Sequence, residues 1–228
     1  MNPRLLRPLA RLQAGTPASL LLHFDGDFTD SSPNGLTVTA EGDATTSAAQ
    51  SKWGGASGFF DGSGDYLAIP AHPSLNIGSG DFTIEMWAYL VEQSNVRPAL
   101  LGNASSYPGG GNEFALLWDS SYGNDSIFIE SGLGNYASSA VAKNAWHHIA
   151  LTRSGETVRL FVDGVQEASE TSSVSLDLAY DGGEMLIGRH WDGTDSDYQE
   201  FIDEIRITKG VARYTAAFTP PTAAFPNS

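Results

Sequence analysis

Asp203 lies in the segment FIDEIRI (201–207). If this segment is a strand, its alternation places Asp203 on one face with three apolar side chains, Phe201, Ile205 and Ile207. A buried carboxylate is costly unless an arginine, backbone N–H groups or a metal ion compensates its charge. Calcium prefers carboxylate and carbonyl oxygens, and the loop DGSGD (61–65) adds Asp61 and Asp65 as oxygen donors. We therefore expect either a structural calcium ion at Asp203 or a pairing with an arginine or turn amides.

The adjacent histidines His147 and His148 are the other residues whose type suits catalysis. On a strand, adjacent side chains point to opposite faces, so at most one of the two belongs to the core. No nucleophile-elbow motif accompanies them. We expect them to be structural histidines, and we expect the protein not to be an enzyme.

Aromatic side chains flanked by polar groups are the type that binds sugars, and three loops carry them: residues 103–113, 119–125 and 189–198. These loops supply four candidates for glycan binding, Tyr107, Tyr122, Trp191 and Tyr198. The alternative is that the rings cap the ends of a sandwich, because aromatic side chains bury large apolar areas. Trp87 and Trp146 lie in strand-like segments and are expected to be packing residues.

The charge and the apolar segments of the chain argue against nucleic acid and membranes as partners. The chain has 228 residues and a formal net charge of −15, and its first 17 residues contain three arginines and no acid. An acidic body repels the phosphates of nucleic acid. No segment approaches the ~20 apolar residues of a membrane-spanning helix.

Because the sequence contains no cysteine, neither a disulfide nor a thiolate metal site is available.

Residues 1–17 are predicted to form an N-terminal arm on a body of residues 18–228. In a helical turn the leucines and arginines of the arm would separate onto two faces, Leu5, Leu9 and Leu12 on one, and Arg4, Arg7 and Arg11 on the other. Two prolines limit any helix there to a turn or two. The arm is either a disordered tail or an anchor that orders against another subunit, which would suit a homo-oligomer or a larger particle.

The body has strand and turn patterns almost throughout. The segment DFTIEMWAYL (81–90) alternates between an apolar face and a mixed polar and aromatic face. The dipeptide Asp163-Gly164 between two strand-like segments predicts a type I′ hairpin. The closing segment 215–228 contains three prolines, so we expect it to run over the surface, fixed by Phe218 and Phe225. About a dozen short strands predict an all-β sandwich or barrel.

Five segments together resemble a concanavalin A-like, laminin-G-type jelly roll: LLHFDGDFTDSSPNG (21–35), GFFDGSGDYLAIP (58–70), DFTIEMWAYL (81–90), AWHHIALTRSGETVRLFVDGVQEAS (145–169) and FIDEIRITKGVARY (201–214). The resemblance covers about residues 19–225 and is closest to the variant of bacterial secreted proteins and phage structural proteins. It implies an all-β, two-sheet antiparallel jelly-roll sandwich. Members of this family bind glycans, mediate adhesion or serve structural display, so the fold alone does not choose a function.

The resemblance also bears on the sites. In the resembled families an aspartate of the closing strand binds a structural calcium ion together with groups from the first strand, which implies Asp203 with Asp25 here. Related hydrolases carry a Glu-x-Asp-x-x-Glu-like segment that this sequence lacks. The resemblance therefore assigns no catalytic residue.

The ending RITKGVARYTAAFTPPTAAFP is similar to that of phage virion proteins that carry such domains. We therefore expect a non-catalytic virion structural protein, either a capsid decoration or a tail- or fibre-associated protein. It would lie on the virion surface, contact other virion proteins through the arm and aid adsorption to host-surface polysaccharide. The alternative is a secreted, extracellular carbohydrate-binding or adhesion module.

Overall fold

The computed structural model describes residues 15–91, 97–103, 114–119, 125–179, 183–190 and 197–227. Within these ranges no helix is long and apolar enough to cross a membrane. The same ranges contain seventeen strands: β1 (Leu20–Leu22), β2 (Thr39–Glu41), β3 (Thr45–Ser47), β4 (Ser57–Asp61), β5 (Tyr66–Pro70), β6 (Asn76–Gly78), β7 (Phe82–Leu90), β8 (Ala99–Asn103), β9 (Phe114–Asp119), β10 (Ser126–Ser131), β11 (Tyr136–Ala140), β12 (Ala145–Ser154), β13 (Thr157–Val162), β14 (Val165–Thr171), β15 (Leu176–Asp177), β16 (Glu184–Ile187) and β17 (Gln199–Lys209).

Two large antiparallel sheets contain all but two of these strands. The eight-stranded sheet has the order β14-β13-β12-β7-β17-β4-β3, with β1 also paired to β17. The seven-stranded sheet has the order β11-β10-β9-β8-β16-β5-β2, and β6 pairs with β15. This arrangement confirms the two-sheet antiparallel jelly-roll sandwich that the sequence predicts.

The last strand, β17, lies in the middle of the eight-stranded sheet. One of its edges pairs with β7. Along its other edge, residues 199–202 pair with β4 and residues 205–207 pair with β1. This strand therefore joins β1, β3 and β4 to the rest of the sheet.

The alternation of β7 divides its side chains as the sequence predicts. One face is buried in the core between the two sheets: Phe82, Ile84, Met86, Ala88 and Leu90. The seven-stranded sheet contributes apolar side chains to the same core, among them Leu67, Ile69, Leu101, Leu116 and Ile187. Removal of apolar surface from water, at about 25 cal/mol per Å², is the main stabilising contribution of this core. We call the opposite face of the eight-stranded sheet the outer face.

The turn between β13 and β14 is the predicted type I′ hairpin. Asp163 has φ 49° and Gly164 has φ 79°, and this turn type requires positive φ at both positions. The Asp163 carboxylate accepts the backbone N–H of His148 at 2.9 Å and contacts Nδ1 of His147 at 2.6 Å. The two histidines lie on opposite faces, as predicted, and both are buried.

A β-bulge in β17 changes the faces predicted for the FIDEIRI segment. Asp203 pairs with Trp87 and Arg206 with Glu85, so three steps along β17 match two steps along β7. The extra residue is accommodated at Glu204, which has φ 52°. The inward side chains are consequently Ile202, Ile205 and Ile207. The prediction that Asp203 shares a face with Ile205 and Ile207 is wrong, because the bulge places Asp203 on the outer face.

The closing segment lies over the outer face, as the sequence predicts. Phe225 is 3% exposed and packs with Ala18 and Leu21. Phe218 stacks on Tyr214 with ring centroids 3.6 Å apart, and its backbone N–H donates to the Gly164 carbonyl at 3.0 Å. Residues 214–225, which we call the C-terminal strap, therefore cover part of the sheet.

Candidate functional site

Four aromatic side chains form a row across the outer face at the end of the sheet where β17 begins. They come from the neighbouring strands β12, β7, β17 and β4 and pair directly with one another: Trp146, Tyr89, Phe201 and Phe59. Successive ring centroids lie 5.6, 6.2 and 5.1 Å apart. We call these four residues the aromatic row.

The aromatic row is less covered than the central part of the same face, where Trp87 and Glu85 are buried. Three of its rings are half-buried, Trp146, Tyr89 and Phe59, whereas Phe201 is 6% exposed. Gln199 and Asp61 pair with each other two residues before Phe201 and two residues after Phe59, so they lie on the same face beside the row. An apolar floor beside polar side chains suits a ligand with apolar faces and polar edges.

Beside the aromatic row on the same face, Trp87 and its pairing partner Asp203 lie beneath residues 50–55, which belong to the loop between β3 and β4. Trp87 is 5% exposed, and the Lys52 ammonium lies 3.8 Å from the centroid of its ring. The same ammonium lies 5.6 Å from the ring centroid of Trp53. Burial lowers the pKa of Lys52, which the nearby carboxylates of Asp163 and Asp203 partly oppose. This loop forms one side of the space above the aromatic row.

Asp203 holds the loop in place through backbone amides. Its Oδ2 accepts the N–H groups of Lys52 at 2.8 Å and Trp53 at 3.1 Å. Its Oδ1 is buried and has no hydrogen-bond partner among the described residues. Burial raises the pKa of Asp203 to about 7, although the two amides act in the opposite direction. Of the three predicted partners for this carboxylate, backbone amides are the ones observed.

The four predicted metal ligands do not lie together. Asp25 is exposed, and its carboxylate packs against Gly54 in the loop that Asp203 anchors. Asp65 instead caps a turn, since it accepts the backbone N–H groups of Asp43 at 2.5 Å and Asp61 at 3.0 Å. In the described part of the chain, no three His, Cys, Asp or Glu side chains are grouped to hold a metal ion. Asp25 and Asp203 both contact the loop of residues 50–55, whereas Asp61 and Asp65 meet in their own turn.

A buried ionic cluster lies farther along the outer face, beneath the C-terminal strap. The Glu85 carboxylate is fully buried and lies 2.7 Å from Nη2 of Arg206. It also accepts the Tyr214 hydroxyl at 2.8 Å and lies 3.3 Å from Nε2 of His148. Burial acts to raise the pKa of Glu85, but the His148 hydrogen bond and the Arg206 charge hold it below its ordinary value. The Glu85 carboxylate is thus paired with groups of two strands and of the strap, which makes the cluster a structural element that fixes the strap.

One predicted glycan-binding residue has a different role. Tyr198 is fully buried, its hydroxyl donates to the Tyr89 carbonyl at 2.6 Å, and its ring meets Phe60 edge-on. The prediction that Tyr198 binds a glycan is wrong, because neither face of its ring is accessible. The other three predicted residues, Tyr107, Tyr122 and Trp191, lie outside the described residues, as do the arm residues Arg4, Leu5, Arg7, Leu9, Arg11 and Leu12.

The aromatic row was not predicted from the sequence, in which Trp146 was interpreted as a packing residue. The one indication of the row in the local sequence was the pair Trp87 and Tyr89, which lie on the face of β7 opposite the apolar face. The row becomes visible only when β4 and β12 are placed beside β7 and β17, which requires the register of strands far apart in sequence.

Several solved structures have a similar fold. Domain 4 of AbnA, a GH43 extracellular arabinanase from Geobacillus stearothermophilus solved with arabinotriose, superposes with a TM-score of 0.65 at 16% identity over 87% of this chain and 95% of that chain. The binding domain of Paraclostridial Mosquitocidal Protein 1 gives 0.62 at 14% identity, over 86% of this chain and 50% of that one. The Trypanosoma rangeli sialidase in complex with 2,3-difluorosialic acid gives 0.58 at 16% identity, over 85% and 31%.

The chain thus spans about half the length of the toxin domain and less of the sialidase. At these identities the likeness concerns the fold. No curated protein sequence matches the chain. A family model described as the concanavalin A-like lectin/glucanases superfamily matches residues 61–213, which is more than half of the sequence. The chain therefore belongs to the concanavalin A-like lectin/glucanases superfamily.

Proposed function

We propose that this protein is a non-catalytic, extracellular carbohydrate-binding module whose ligand packs on the aromatic row. The observation that carries the proposal is the contrast along β7: Tyr89 is only half-buried, whereas Trp87 and Glu85 on the same face are fully covered. Sugar rings have C–H faces that pack on aromatic rings and hydroxyl groups that need hydrogen-bond partners. The exposed Asp61 beside the row provides such a partner.

The solved structures support the same function. The arabinanase domain was solved with arabinotriose, and its parent enzyme is extracellular. The toxin domain is a binding domain. Both share their fold with this chain. These relatives favour a binding module over a virion structural protein.

Affinity electrophoresis through gels that contain arabinan, xylan, mannan, β-glucan or glycol chitin tests the proposal. We expect retardation of the full chain by at least one polysaccharide and loss of most of it in Tyr89→Ala and Trp146→Ala. Phe128→Ala is the matched control, because Phe128 is a half-buried ring on the outer side of the other sheet. Unchanged retardation of both variants would move the site to the loops of Tyr107, Tyr122 and Trp191, where Trp191→Ala is the corresponding test.

Structural calcium stays a prediction, and the residues fit it only in part. The buried, unpartnered Oδ1 of Asp203 fits a cation ligand, and Asp25 borders the same loop. Asp65 does not fit, because both of its oxygens accept backbone N–H groups, and no contact among the described residues joins Asp61 to Asp203. A calcium ion here would stabilise the native loop by binding it. A melting temperature that is equal in chelator and in excess calcium would exclude the site.

Assembly through the arm also stays a prediction. The body extends slightly into the predicted arm, since the Thr16 carbonyl accepts a hydrogen bond from Arg213 at 3.2 Å. The test uses the full chain with Leu5, Leu9 and Leu12 replaced by aspartate. Loss of particle proteins from a pull-down, with polysaccharide binding retained, would support a virion anchor in addition to the binding module.

A further inference from the structure

We propose that the aromatic row binds an internal stretch of a linear glycan, which lies across the strands and extends beyond the row at both ends. The inference rests on the proposed function and specifies its ligand as a chain of several sugars, in contrast to a monosaccharide or a chain end.

The length of the row supports a ligand of several sugars. Its four members come from four consecutive strands of one sheet, and neighbouring strands lie about 4.8 Å apart, so the row spans roughly 14 Å. The half-buried rings stand at both ends, Trp146 at one and Phe59 at the other, with Tyr89 between them. A single sugar would contact one or two of these rings and leave the others unused.

The two ends of the row are open in the part of the chain that the structure describes. Beyond Phe59 the next residue is Thr45, a small and exposed side chain on the edge strand β3. Beyond Trp146 the pairing of β12 with β13 begins only at Ile149, because β13 turns back at Asp163. A pocket for a chain end needs a wall that stops the ligand, and the described residues supply none at either end of the row.

The two sides of the row, in contrast, carry charged and polar groups. On one side the loop of residues 50–55 rises above Trp87 and carries the Lys52 ammonium. On the other side lie the polar side chains of Gln199 and Asp61. An extended chain along the row would place its ring faces on the aromatic side chains and its hydroxyls near the Lys52 ammonium on one side and the Asp61 carboxylate on the other. The geometry therefore favours a direction perpendicular to the strands.

The test measures the affinity of the full chain by isothermal titration calorimetry. The probes are oligosaccharides of one to eight units of arabinan, xylan, mannan, cellulose and chitin, each also with its reducing end converted to the alditol. We expect affinity to rise about tenfold or more between one unit and the length that fills the row, then to level off. Conversion of the reducing end of a long oligomer should change its affinity less than twofold.

Variants at the two ends of the row complete the test. Phe59→Ala and Trp146→Ala should each shorten the length at which affinity levels off, whereas Phe128→Ala should leave it unchanged, with thermal melts confirming that all three fold. Full affinity for a monosaccharide, or loss of affinity when the end is reduced, would overturn the internal-chain inference and leave the carbohydrate-binding function intact. No binding to any probe or parent polysaccharide would overturn both.

Discussion

The Oδ2 atom of Asp203 accepts the backbone N–H of Trp53 at 3.1 Å, although 150 residues separate the two in sequence. This contact fixes the loop beside the aromatic row with a carboxylate that burial makes difficult to ionise. The position of the loop and the protonation of Asp203 are therefore linked, and the linkage is measurable.

Replacement of Asp203 by asparagine should remove a pH dependence of stability. The folded-state pKa of Asp203 is raised from 3.8 to about 7, so between these values the native protein retains a proton that the unfolded chain releases. The free energy of unfolding of the wild type should therefore fall as pH rises from about 4 to about 7, by up to roughly 2–4 kcal/mol. Urea unfolding in chelator at pH 5 and pH 8 measures this decline, which Asp203→Asn should lack. Parallel pH profiles for the two proteins would contradict it.

The pair of His23 and Glu204 should act over a more alkaline range. The Glu204 hydrogen bond, at 2.8 Å, raises the pKa of His23 from 6.5 to about 9 against the effect of burial. A raised histidine pKa stabilises the fold fully below pH 6.5, and this stabilisation is lost as pH rises through about 9. We expect a loss of about 1–2 kcal/mol across this range, absent in His23→Gln. An NMR titration of His23 that gives an ordinary value near 6.5 would contradict this expectation.

The buried cluster beneath the C-terminal strap should be sensitive to loss of its one carboxylate. Glu85→Gln leaves the Arg206 guanidinium buried without its counter-charge, which should lower the free energy of unfolding by about 3–5 kcal/mol. The matched control is Glu130→Gln, which removes an exposed partner of Arg97 and should change stability by about 1 kcal/mol or less. Equal effects in the two variants would show that the cluster does not fix the strap.

Gly164 should be required for docking of the strap. A Cβ at this position would lie 2.0 Å from the Phe218 carbonyl oxygen, and φ is positive. Gly164→Ala should therefore both destabilise the protein, by more than about 1 kcal/mol, and increase protease cleavage within residues 214–225. Gly155→Ala is the control for backbone strain alone, because its φ is also positive and nothing lies within 4 Å of the added Cβ. Equal protease sensitivity of the two variants would contradict the docking role.

Local sequence patterns predicted the structure correctly in two places where it depends on neighbours along the chain. The alternation of residues 81–90 predicted the core face of β7, and Asp163-Gly164 predicted a hairpin whose two turn residues have the required positive φ. In both places one physical requirement, either burial of one face or a left-handed backbone, selects the residue types directly.

Prediction from the sequence failed where the structure depends on residues far apart in the chain. Nothing local marks the bulge at Glu204, since a glutamate with positive φ is not a turn signal, and the bulge reversed the face predicted for Asp203. Tyr198 was judged by its polar loop, but Phe60 and the Tyr89 carbonyl enclose it. The aromatic row likewise required β4 to be placed beside β17, about 140 residues later in the chain.

The central position of β17 has a consequence for folding kinetics. The strands β7, β12, β13 and β14 pair among themselves, whereas within the described residues β1, β3 and β4 reach them only through β17. During synthesis β17 emerges from the ribosome after the other described strands of this sheet, so the sheet waits in three parts with unpaired edges: β7 with β12–β14, β4 with β3, and β1. Closure then depends on contacts between residues far apart in sequence, which makes folding slow. The nascent chain is therefore most vulnerable to aggregation just before its last strand is made, when a chaperone that shields strand edges would be most effective.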